Sequence, residues 1–385
     1  MTDLPKEFVD RIQQDPFVPE QLLESLNQSA PTSVRLHPQR KSFFENTTPV
    51  PWNTYGYYLP ERPSFTYDPL FHAGAYYPQE AGSMYLEQVL QTLDLPEHPV
   101  ILDLSAAPGG KSTLIAGFLQ HRGVLIANEI NRSRAYILSE NLSKWGYSNV
   151  FVCNHKPSEL SALAGQLDVL VIDAPCSGEG MFRKDHQART EWNLANANTC
   201  AERQTDILEE VWPLLKEGGY LIYSTCTFNP EENEQQLLSF LENGVASRVN
   251  LPAFEGMKPD RNDSGYYFFP NQIKSEGFYI AALQKTEANV RKTKPSKAQL
   301  QTGLPSDLAQ HLTFPTDLQF WQEEDKVFAT TTFALDFYPQ IKNLKLLKTG
   351  THVATANKKN WTPGYDIVYS IYLKWELPVK KVEWT

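Results

Sequence analysis

The feature that most constrains the fold is the segment at residues 167–182, which reads LDVLVIDAPCSGEGMF. Its apolar run over residues 169–172 leads into Asp173 without polar alternation and is then broken by proline and glycine. A continuous apolar run of this kind is typical of a strand that is buried on both faces of a parallel sheet. Open α/β sheets bind ligands beyond the carboxyl ends of their strands, so Asp173 and Cys176 are predicted to lie at a functional site.

A second apolar run ends in the same manner. Residues 219–223 (GYLIY) lead into Ser-Thr-Cys-Thr, which places Cys226 just after a strand. Neighbouring strands lie about 4.8 Å apart, so both thiols face one pocket if the two strands pair. We therefore predict that Asp173, Cys176 and Cys226 come together above a parallel sheet.

The segments on either side of these runs alternate between strand and helix patterns. Strands are predicted at residues 100–104, 124–128, 150–153, 169–172, 219–223, 266–269 and 277–283. Helices are predicted at residues 111–119, 132–145, 199–215 and 231–241. This alternation predicts an α/β fold, a doubly wound parallel sheet covered by helices.

The chain has 385 residues, which is too long for one ordinary domain. Residues 1–95 combine short amphipathic helices, a proline-rich and aromatic-rich stretch and a helix predicted at residues 79–93, so they predict a small α+β lead-in domain. Residues 96–286 form the predicted sheet domain, and residues 287–303 are polar and basic, as in a linker. Residues 304–385 are rich in aromatic residues and end with an excess of lysine, which predicts a small accessory domain.

Composition excludes several classes of protein. The net charge of −10 argues against a general nucleic-acid binder, although the lysine-rich end leaves room for a local basic patch. Four cysteines are too few for a disulfide scaffold, and Cys153 and Cys200 are interpreted as small apolar residues. There is no apolar run long enough to span a membrane and no signal peptide, so we expect a soluble cytoplasmic protein.

A glycine loop follows the first predicted strand, within ILDLSAAPGGKST at residues 101–113. A phosphate-binding P-loop would need glycine where Ser105 stands, so that interpretation is rejected. The alternative is a nucleotide-binding turn in which glycine lets the backbone approach a ligand, with an acid about 20 residues later for the ribose. Glu129 lies 19 residues after Gly110. The loop lacks the dinucleotide pattern, and a cofactor with a ribose but no pyrophosphate points to S-adenosyl-L-methionine.

The segments LDLSAAPGGKST, ANEINRSRA, DAPCSGEGMFRKD and STCTFNPEENE resemble those of the Nol/Nop/Sun family of RNA (cytosine-5)-methyltransferases, especially its RsmF-like bacterial branch. The segment HAGAYYPQEAGSM is similar to the one that precedes the cofactor domain in that family. The resemblance covers residues 1–285. It implies a class I methyltransferase fold with a Rossmann-like sheet, a small N-terminal domain and a C-terminal accessory domain that is shorter than usual.

The resemblance also implies catalytic roles. Cys226 would attack carbon 6 of cytosine, because a thiolate bonded there makes carbon 5 nucleophilic enough to accept a methyl group. Asp173 would bind the edge of the base, and Cys176 would assist release of the methylated product. Lys111 would orient Asp173 through charge pairing.

Twelve residues are predicted to bind S-adenosyl-L-methionine: Ala106, Ala107, Pro108, Gly109, Gly110, Lys111, Ser112, Glu129, Arg134, Asn154, Asp173 and Pro175. Many relatives have an aspartate after the third strand for the adenine amino group, and this chain lacks it. Asn154 or His155 would have to replace it. The late Pro-His motif of relatives is Pro270-Asn271 here.

The resemblance implies 16S ribosomal RNA as the substrate, and we expect a monomer that needs no metal. Two rivals remain open: a methyltransferase acting on transfer RNA, and a non-catalytic RNA-binding factor for ribosome assembly. The second rival has no use for thiols, so the presence of both Cys176 and Cys226 speaks against it. Cys153 and His155 are close in sequence, but no second cluster completes a metal site.

Overall fold

The computed structural model describes residues 4–42, 44–288, 300–315, 317–357 and 360–375. Most of the predicted linker at residues 287–303 lies outside this part of the chain, as do Lys358, Lys359, Lys380 and Lys381 of the basic C-terminal stretch. Among the helices of the described residues, none is both long and apolar enough to cross a bilayer.

The N-terminal part combines short helices with a small antiparallel sheet. Its elements are α1 (Lys6–Gln14), α2 (Leu22–Ser25), β1 (Thr32–Leu36), β2 (Thr48–Pro49), β3 (Gly56–Leu59), α3 (Pro69–His72), β4 (Tyr76–Pro78) and α4 (Leu86–Thr92). The strands pair in the order β2-β3-β1-β4. Phe8 and Ile12 lie one turn apart on α1, so both are buried against the core of the central part. The helix predicted at residues 79–93 begins as a 3₁₀ turn at Gly82–Tyr85 and continues as α4.

The central part alternates strands and helices as its sequence predicts. Its elements are β5 (Val100–Asp103), α5 (Gly110–Leu119), β6 (Val124–Asn128), α6 (Arg132–Trp145), β7 (Val150–Cys153), β8 (Leu167–Asp173), α7 (His186–Glu191), α8 (Leu194–Val211), β9 (Leu215–Thr225), α9 (Glu234–Glu242), β10 (Ala246–Arg248), β11 (Met257–Pro259), β12 (Gly265–Phe268) and β13 (Phe278–Lys285). Val100 and Leu102 of β5 join one core cluster and Ile101 joins the other, so this strand is covered on both faces.

The central sheet is mixed rather than wholly parallel. Its order is β11-β12-β13-β9-β8-β5-β6-β7, and the five strands β5 to β9 run parallel to one another. Strand β13 runs antiparallel to both β9 and β12. The connection from β12 to β13 is shorter than the dozen or so residues that a parallel crossover needs, which explains the antiparallel edge. Strands β8 and β9 are neighbours, and their register pairs Asp173 with Ser224.

Two helix boundaries differ from the prediction. The helix expected at residues 199–215 starts earlier, because the Asn193 side chain caps its first turn by accepting a hydrogen bond from Asn196 N at 2.9 Å. It ends at Val211, because Pro213 cannot continue the helical hydrogen bonds and the chain forms a 3₁₀ turn instead. The helix expected at residues 231–241 begins only at Glu234, after a separate 3₁₀ turn.

The C-terminal part is built mainly of short strands. Its elements are β14 (Gln301–Thr302), α10 (Ser306–Ala309), β15 (Leu312–Thr313), β16 (Leu318–Glu323), β17 (Lys326–Thr331), α11 (Thr332–Ile341), β18 (Leu346–Thr349), β19 (Thr351–Asn357), β20 (Asn360–Pro363) and β21 (Lys374–Trp375). Five of these strands form a sheet in the order β14-β16-β17-β19-β20. Strand β18 instead extends the central sheet by pairing antiparallel with β7, so the region predicted as an accessory domain shares a sheet with the central part.

Candidate active site

The loops that follow β8 and β9 bring the two predicted cysteines into contact. Ala174 N donates to Ser224 O at 2.8 Å, and Gly180 N donates to Cys226 O at 2.8 Å. The sulfur atoms of Cys176 and Cys226 lie 3.1 Å apart, and both thiols are free. This distance is well beyond a disulfide bond of about 2.05 Å and fits a hydrogen bond between thiols. The predicted meeting of the two thiols at neighbouring strand ends is therefore confirmed.

The Cys176 thiol holds its proton firmly. Its hydrogen bond with Cys226 and its burial, in that order, raise the pKa of Cys176 well above its ordinary value. A thiol with a raised pKa stays protonated at neutral pH and can donate its S–H to a neighbouring sulfur. The pair is thus suited to a cycle in which one sulfur acts as a nucleophile and the other as its hydrogen-bonding partner.

Asp173 lies beside the thiols and is held by two donors. Lys111 Nζ forms an ion pair with Asp173 Oδ1 at 2.8 Å, and Ser224 Oγ donates to the same oxygen at 2.9 Å. Lys111 comes from the first turn of α5, so the glycine loop and the thiol loops meet at this carboxylate. The Asp173 side chain remains 40% exposed, which leaves it open to a ligand.

The glycine loop after β5 forms one wall of a cavity of about 160 Å³. Gly109 has a φ of +116° and directly precedes α5, a left-handed conformation that favours glycine. A Cβ on Gly110 would lie 3.5 Å from Tyr77 Cε1, so the bare backbone here faces the N-terminal part. The predicted site residues that line the cavity are Ala106, Ala107, Pro108, Gly110, Lys111 and Asp173. Tyr77, Gln79, Glu80 and Ser83 close the opposite side.

Glu129 lies at the end of β6, one strand away from the glycine loop. It is 2% exposed, and its Oε1 accepts a hydrogen bond from Asn131 N at 2.8 Å. Arg134 Nη1 lies 3.6 Å from Glu129 Oε2, and Arg134 Nη2 donates to Ala107 O at 2.8 Å. Arg134 therefore joins the acid to the glycine loop.

Both the nitrogen and the oxygen of the Asn154 side-chain amide form hydrogen bonds with other residues of the chain. Its Nδ2 donates to Glu129 O at 2.7 Å and to Ile130 O at 2.9 Å. Its Oδ1 accepts from Lys345 Nζ at 3.1 Å. His155 Nε2 accepts from Lys345 N at 2.7 Å, so Lys345 of the C-terminal part contacts both residues that were expected to replace the missing aspartate.

The remaining predicted site residues stand behind the cavity. Ser112 is fully buried, and its Oγ donates to Asp103 Oδ2 at 2.6 Å. Pro175 O accepts from Gln204 Nε2 at 2.9 Å, which ties the first thiol loop to α8. Within the described residues, no group of three or more His, Cys, Asp or Glu side chains is placed to hold a metal ion.

Comparison with known proteins agrees with this arrangement of motifs. A family model described as 16S rRNA methyltransferase RsmB/F matches residues 90–284, and one for the N-terminal domain of 16S rRNA methyltransferase RsmF matches residues 4–81. Ribosomal RNA small subunit methyltransferase F of Vibrio cholerae is 32% identical over 337 residues, covering 82% of this chain and 70% of the relative. The chain belongs to the RsmB/F family. The resemblance read from the sequence motifs is confirmed.

One more relative and two solved structures are also similar to this member of the RsmB/F family. The enzyme of the same name from Vibrio parahaemolyticus is 28% identical over 401 residues, or 90% of this chain and 81% of the relative. A methyltransferase homologue from Pyrococcus horikoshii is 28% identical with a TM-score of 0.63, covering 73% of this chain and 95% of that one. NSun6 from the same organism, solved with SFG, is 20% identical with a TM-score of 0.64, covering 74% of this chain and 99% of that one. The predicted class I methyltransferase fold is confirmed.

Sequence reasoning missed several residues that support this RsmB/F site. Asp103 ends β5 behind the glycine loop, and burial raises its pKa to about 7. Its Oδ1 is buried and has no hydrogen-bond partner among the described residues. The available signal in the sequence was a polar residue at the end of an apolar strand.

Arg35 was also missed, because nothing in its neighbouring sequence marks it. It is 2% exposed, and burial lowers its pKa to about 10. Its guanidinium donates to Gln79 Oε1 at 2.7 Å, Thr113 Oγ1 at 2.6 Å and Gly110 O at 3.3 Å. Strand β1 therefore braces the start of α5 from the N-terminal side.

Proposed function

We propose that this chain methylates carbon 5 of a cytosine in 16S ribosomal RNA, with S-adenosyl-L-methionine as the donor and a covalent bond between Cys226 and the base. The observation that carries the proposal is the contact of 3.1 Å between the Cys176 and Cys226 sulfur atoms, next to the ion pair of Asp173 and Lys111. Methylation of carbon 5 needs a nucleophile, a group that binds the base and a means of releasing the product. These four side chains supply all three functions.

The residues present fit the proposed cofactor. The glycine loop offers bare backbone along a cavity, and Glu129 offers a carboxylate one strand away. Asp103 Oδ1 is an acceptor that has no hydrogen-bond partner within the described part of the chain. Asn154 is the residue proposed to bind the adenine amino group, although Lys345 already donates to its Oδ1. When bound, S-adenosyl-L-methionine supplies an electrophilic methyl group.

Cys226 would begin the reaction by adding its thiolate to carbon 6 of the flipped cytosine. The new C–S bond pushes the electrons of the C5–C6 double bond onto carbon 5, which becomes nucleophilic. Asp173, held by Lys111 and Ser224 through the same oxygen, would accept a hydrogen bond from the amino group of the base and another from N3 when N3 carries a proton. A carboxylate fixed by two donors does not have to reorganise while charge develops on the ring.

Release would reverse the addition. A water molecule takes the proton from carbon 5, the C–H electron pair re-forms the C5–C6 double bond, and the C6–S bond breaks with Cys226 leaving as a thiolate. Cys176 would assist because its thiol holds a proton and lies 3.1 Å from the departing sulfur. A charge-assisted hydrogen bond to that sulfur stabilises it as a leaving group.

Residues 1–95 and 304–385 are proposed to position the RNA around residues 96–286. The N-terminal part supplies one wall of the cavity through Tyr77, Gln79 and Glu80. The C-terminal part reaches the far edge of the central sheet through β18 and contacts Asn154 and His155 through Lys345. The N-terminal part therefore contacts the cavity directly, and the C-terminal part contacts the segment after β7.

The decisive test is transfer of labelled methyl groups to 16S ribosomal RNA by the full chain. We expect Cys226→Ala to abolish transfer and Cys176→Ala to accumulate a protein–RNA adduct that survives denaturing electrophoresis. Cys200→Ala, which changes a thiol on α8, is the matched control and should retain wild-type transfer. An active Cys226→Ala protein would overturn the assignment of the nucleophile, and bisulfite mapping of the product would identify the methylated position.

A further inference from the structure

A buried carboxylate lies beneath both thiol loops. Glu232 is 0% exposed and follows the Cys226 loop in the 3₁₀ turn at Pro230–Glu232. Its Oε1 accepts from Ser177 N at 2.7 Å, and its Oε2 accepts from Ser177 Oγ at 2.6 Å. Ser177 is the residue directly after Cys176, so the carboxylate binds the first thiol loop through backbone and side chain together.

Glu232 also holds the second thiol loop and α8. Thr227, directly after Cys226, places its Oγ1 3.4 Å from Glu232 Oε2 and 2.9 Å from Ser177 Oγ. Asn229 Nδ2 donates to Oε2 at 3.2 Å, and Gln204 Nε2 reaches Oε1 at 3.4 Å. The residues that follow the two cysteines are thus joined through one carboxylate.

The surroundings of Glu232 require an acceptor at both of its oxygens. Backbone N–H, hydroxyl and amide donors converge on Oε1 and Oε2, and an ionised carboxylate accepts at both. Burial raises the pKa of Glu232, while the hydrogen bonds from Ser177 and Asn229 oppose that rise. A glutamine would have to turn its NH₂ group either toward Ser177 N or toward Asn229 Nδ2, and both are N–H donors that cannot accept. Either choice places a donor against a donor and loses that hydrogen bond.

The two cysteines depend on this carboxylate to different extents. Cys226 follows β9 directly, and its carbonyl accepts from Gly180 N at 2.8 Å. Cys176 lies three residues beyond β8, in a segment that Ser177 fastens to Glu232 and that Pro175 fastens to Gln204. Loss of the carboxylate should therefore displace the Cys176 sulfur more than the Cys226 sulfur.

We propose that Glu232 is a positioning residue for product release: it holds the Cys176 thiol against the Cys226 sulfur while the base is covalently bound. The proposal rests on the proposed function, because it assigns the Cys176 thiol to release and the Cys226 thiol to attack. Glu232 touches neither the base nor the donor in this scheme. It acts through Ser177 and Thr227.

The test compares Glu232→Gln with Glu234→Gln in the full chain. Glu234 is a second buried carboxylate in the same segment, but it is bonded to Tyr267 and Arg261 and not to the thiol loops. With 16S ribosomal RNA and labelled S-adenosyl-L-methionine, Glu232→Gln should lower multiple turnover by about tenfold, the effect of losing about 1.4 kcal/mol of stabilisation at the release step. Methyl transfer in a single turnover should change far less, and a labelled protein–RNA adduct should accumulate.

Ser177→Ala gives a second variant in case Glu232→Gln does not fold. It removes the hydroxyl contact and leaves the backbone N–H bond, so it should accumulate the same adduct to a smaller extent. Glu234→Gln should accumulate none. Two results for Glu232→Gln would overturn the proposal: wild-type turnover, or a loss of single-turnover transfer as large as the loss of turnover, with no adduct. If Glu232→Gln is unfolded, the absence of adduct from Ser177→Ala would overturn it.

The failure of the proposed function would look different. In that case the wild-type chain would transfer no label to RNA, or Cys176→Ala would form no adduct. If both behave as expected and neither Glu232→Gln nor Ser177→Ala traps RNA, only the role of Glu232 is wrong.

Discussion

The pKa of the Cys176 thiol shows how strongly the surroundings of a residue change its chemistry. A free cysteine has a pKa of about 8.5, and the hydrogen bond with Cys226 together with burial moves the pKa of Cys176 well above its ordinary value. The bond exists because the residues after β8 and β9 face each other. The same side chain on an exposed loop would be an ordinary thiol.

His37 provides a test of pH dependence at the residue scale. Burial lowers its pKa to about 3, with the charge of Arg40 as a further cause. Its Nε2 lies 3.0 Å from Trp145 O and its Nδ1 accepts from Gln39 N at 3.0 Å, so the neutral ring uses both nitrogens. The folded chain thus disfavours protonation, whereas the unfolded chain takes up a proton below pH 6.5.

We expect His37 to make the fold sensitive to acid. Between pH 6.5 and pH 5 the unfolded state binds more protons, so the free energy of unfolding should fall by about 2 kcal/mol from this residue alone. The change should be complete near pH 3, where the folded state also takes up the proton. Urea denaturation of wild type and His37→Asn at pH 6.5 and pH 5 measures the free energy of unfolding at each pH. An equal fall in the two proteins would contradict the role of His37.

At the scale of elements, the thiol loops are placed by close backbone contacts. Gly180 follows Cys176 by four residues, and a Cβ built on it would lie 2.2 Å from Gly277 O. Gly277 directly precedes β13, so the first thiol loop rests on the start of an antiparallel strand. The contact needs two residues without side chains, and neither loop alone reveals that need.

Gly180→Ala should therefore be far more damaging than a glycine replacement nearby. An added methyl group must push the loop away from Gly277, which shifts Cys176 from Cys226 and should lower methyl transfer by at least about tenfold. Gly178→Ala is the matched control: its φ is +75°, but a Cβ there meets nothing within 4 Å. It should cost about 1–2 kcal/mol of stability and leave transfer by the folded protein largely intact.

Transfer assays on folded protein, with thermal unfolding in parallel, separate the two effects. Similar activity in Gly180→Ala and Gly178→Ala would show that the contact with Gly277 is not what places the loop.

At the scale of the whole molecule, three parts of the chain meet around the site. Arg11 of α1 forms an ion pair with Glu179, whose other oxygen accepts from Phe228 N at 3.1 Å. Arg35 of β1 holds the glycine loop at Gly110. Lys345, next to β18, contacts the segment after β7. The central part alone would lack each of these supports.

Lys345→Ala should weaken binding of the proposed cofactor, because Asn154 Oδ1 loses its donor beside the end of β7. The loss of one such hydrogen bond, about 1 kcal/mol, corresponds to an increase of about fivefold in Kd. Titration calorimetry with S-adenosyl-L-homocysteine measures the change. Lys342→Ala, at an exposed position on the same segment, is the control, and equal Kd values for the two variants would refute the role of Lys345.

The sequence alone was enough to predict the parallel strands of the central sheet and the residues that follow them, but not the antiparallel strands at its edges. Continuous apolar runs and the alternation of patterns depend on local chemistry, so they indicated that β8 and β9 are buried and that Asp173, Cys176 and Cys226 follow them. Helix ends were less well predicted, because the cap at Asn193 and the break at Pro213 act within one turn.

Contacts between distant segments were decided only by the tertiary structure. Lys345 lies 191 residues from Asn154, and Arg11 lies 168 residues from Glu179. Each of these side chains has an ordinary local sequence, so no spacing or period distinguishes it from a solvated charge. Glu232 is the clearest case, because its part in the site depends on donors from both thiol loops and α8 that converge only when the sheet has formed. Local patterns can determine which atoms face a site, but folding alone brings together the partners that hold them there.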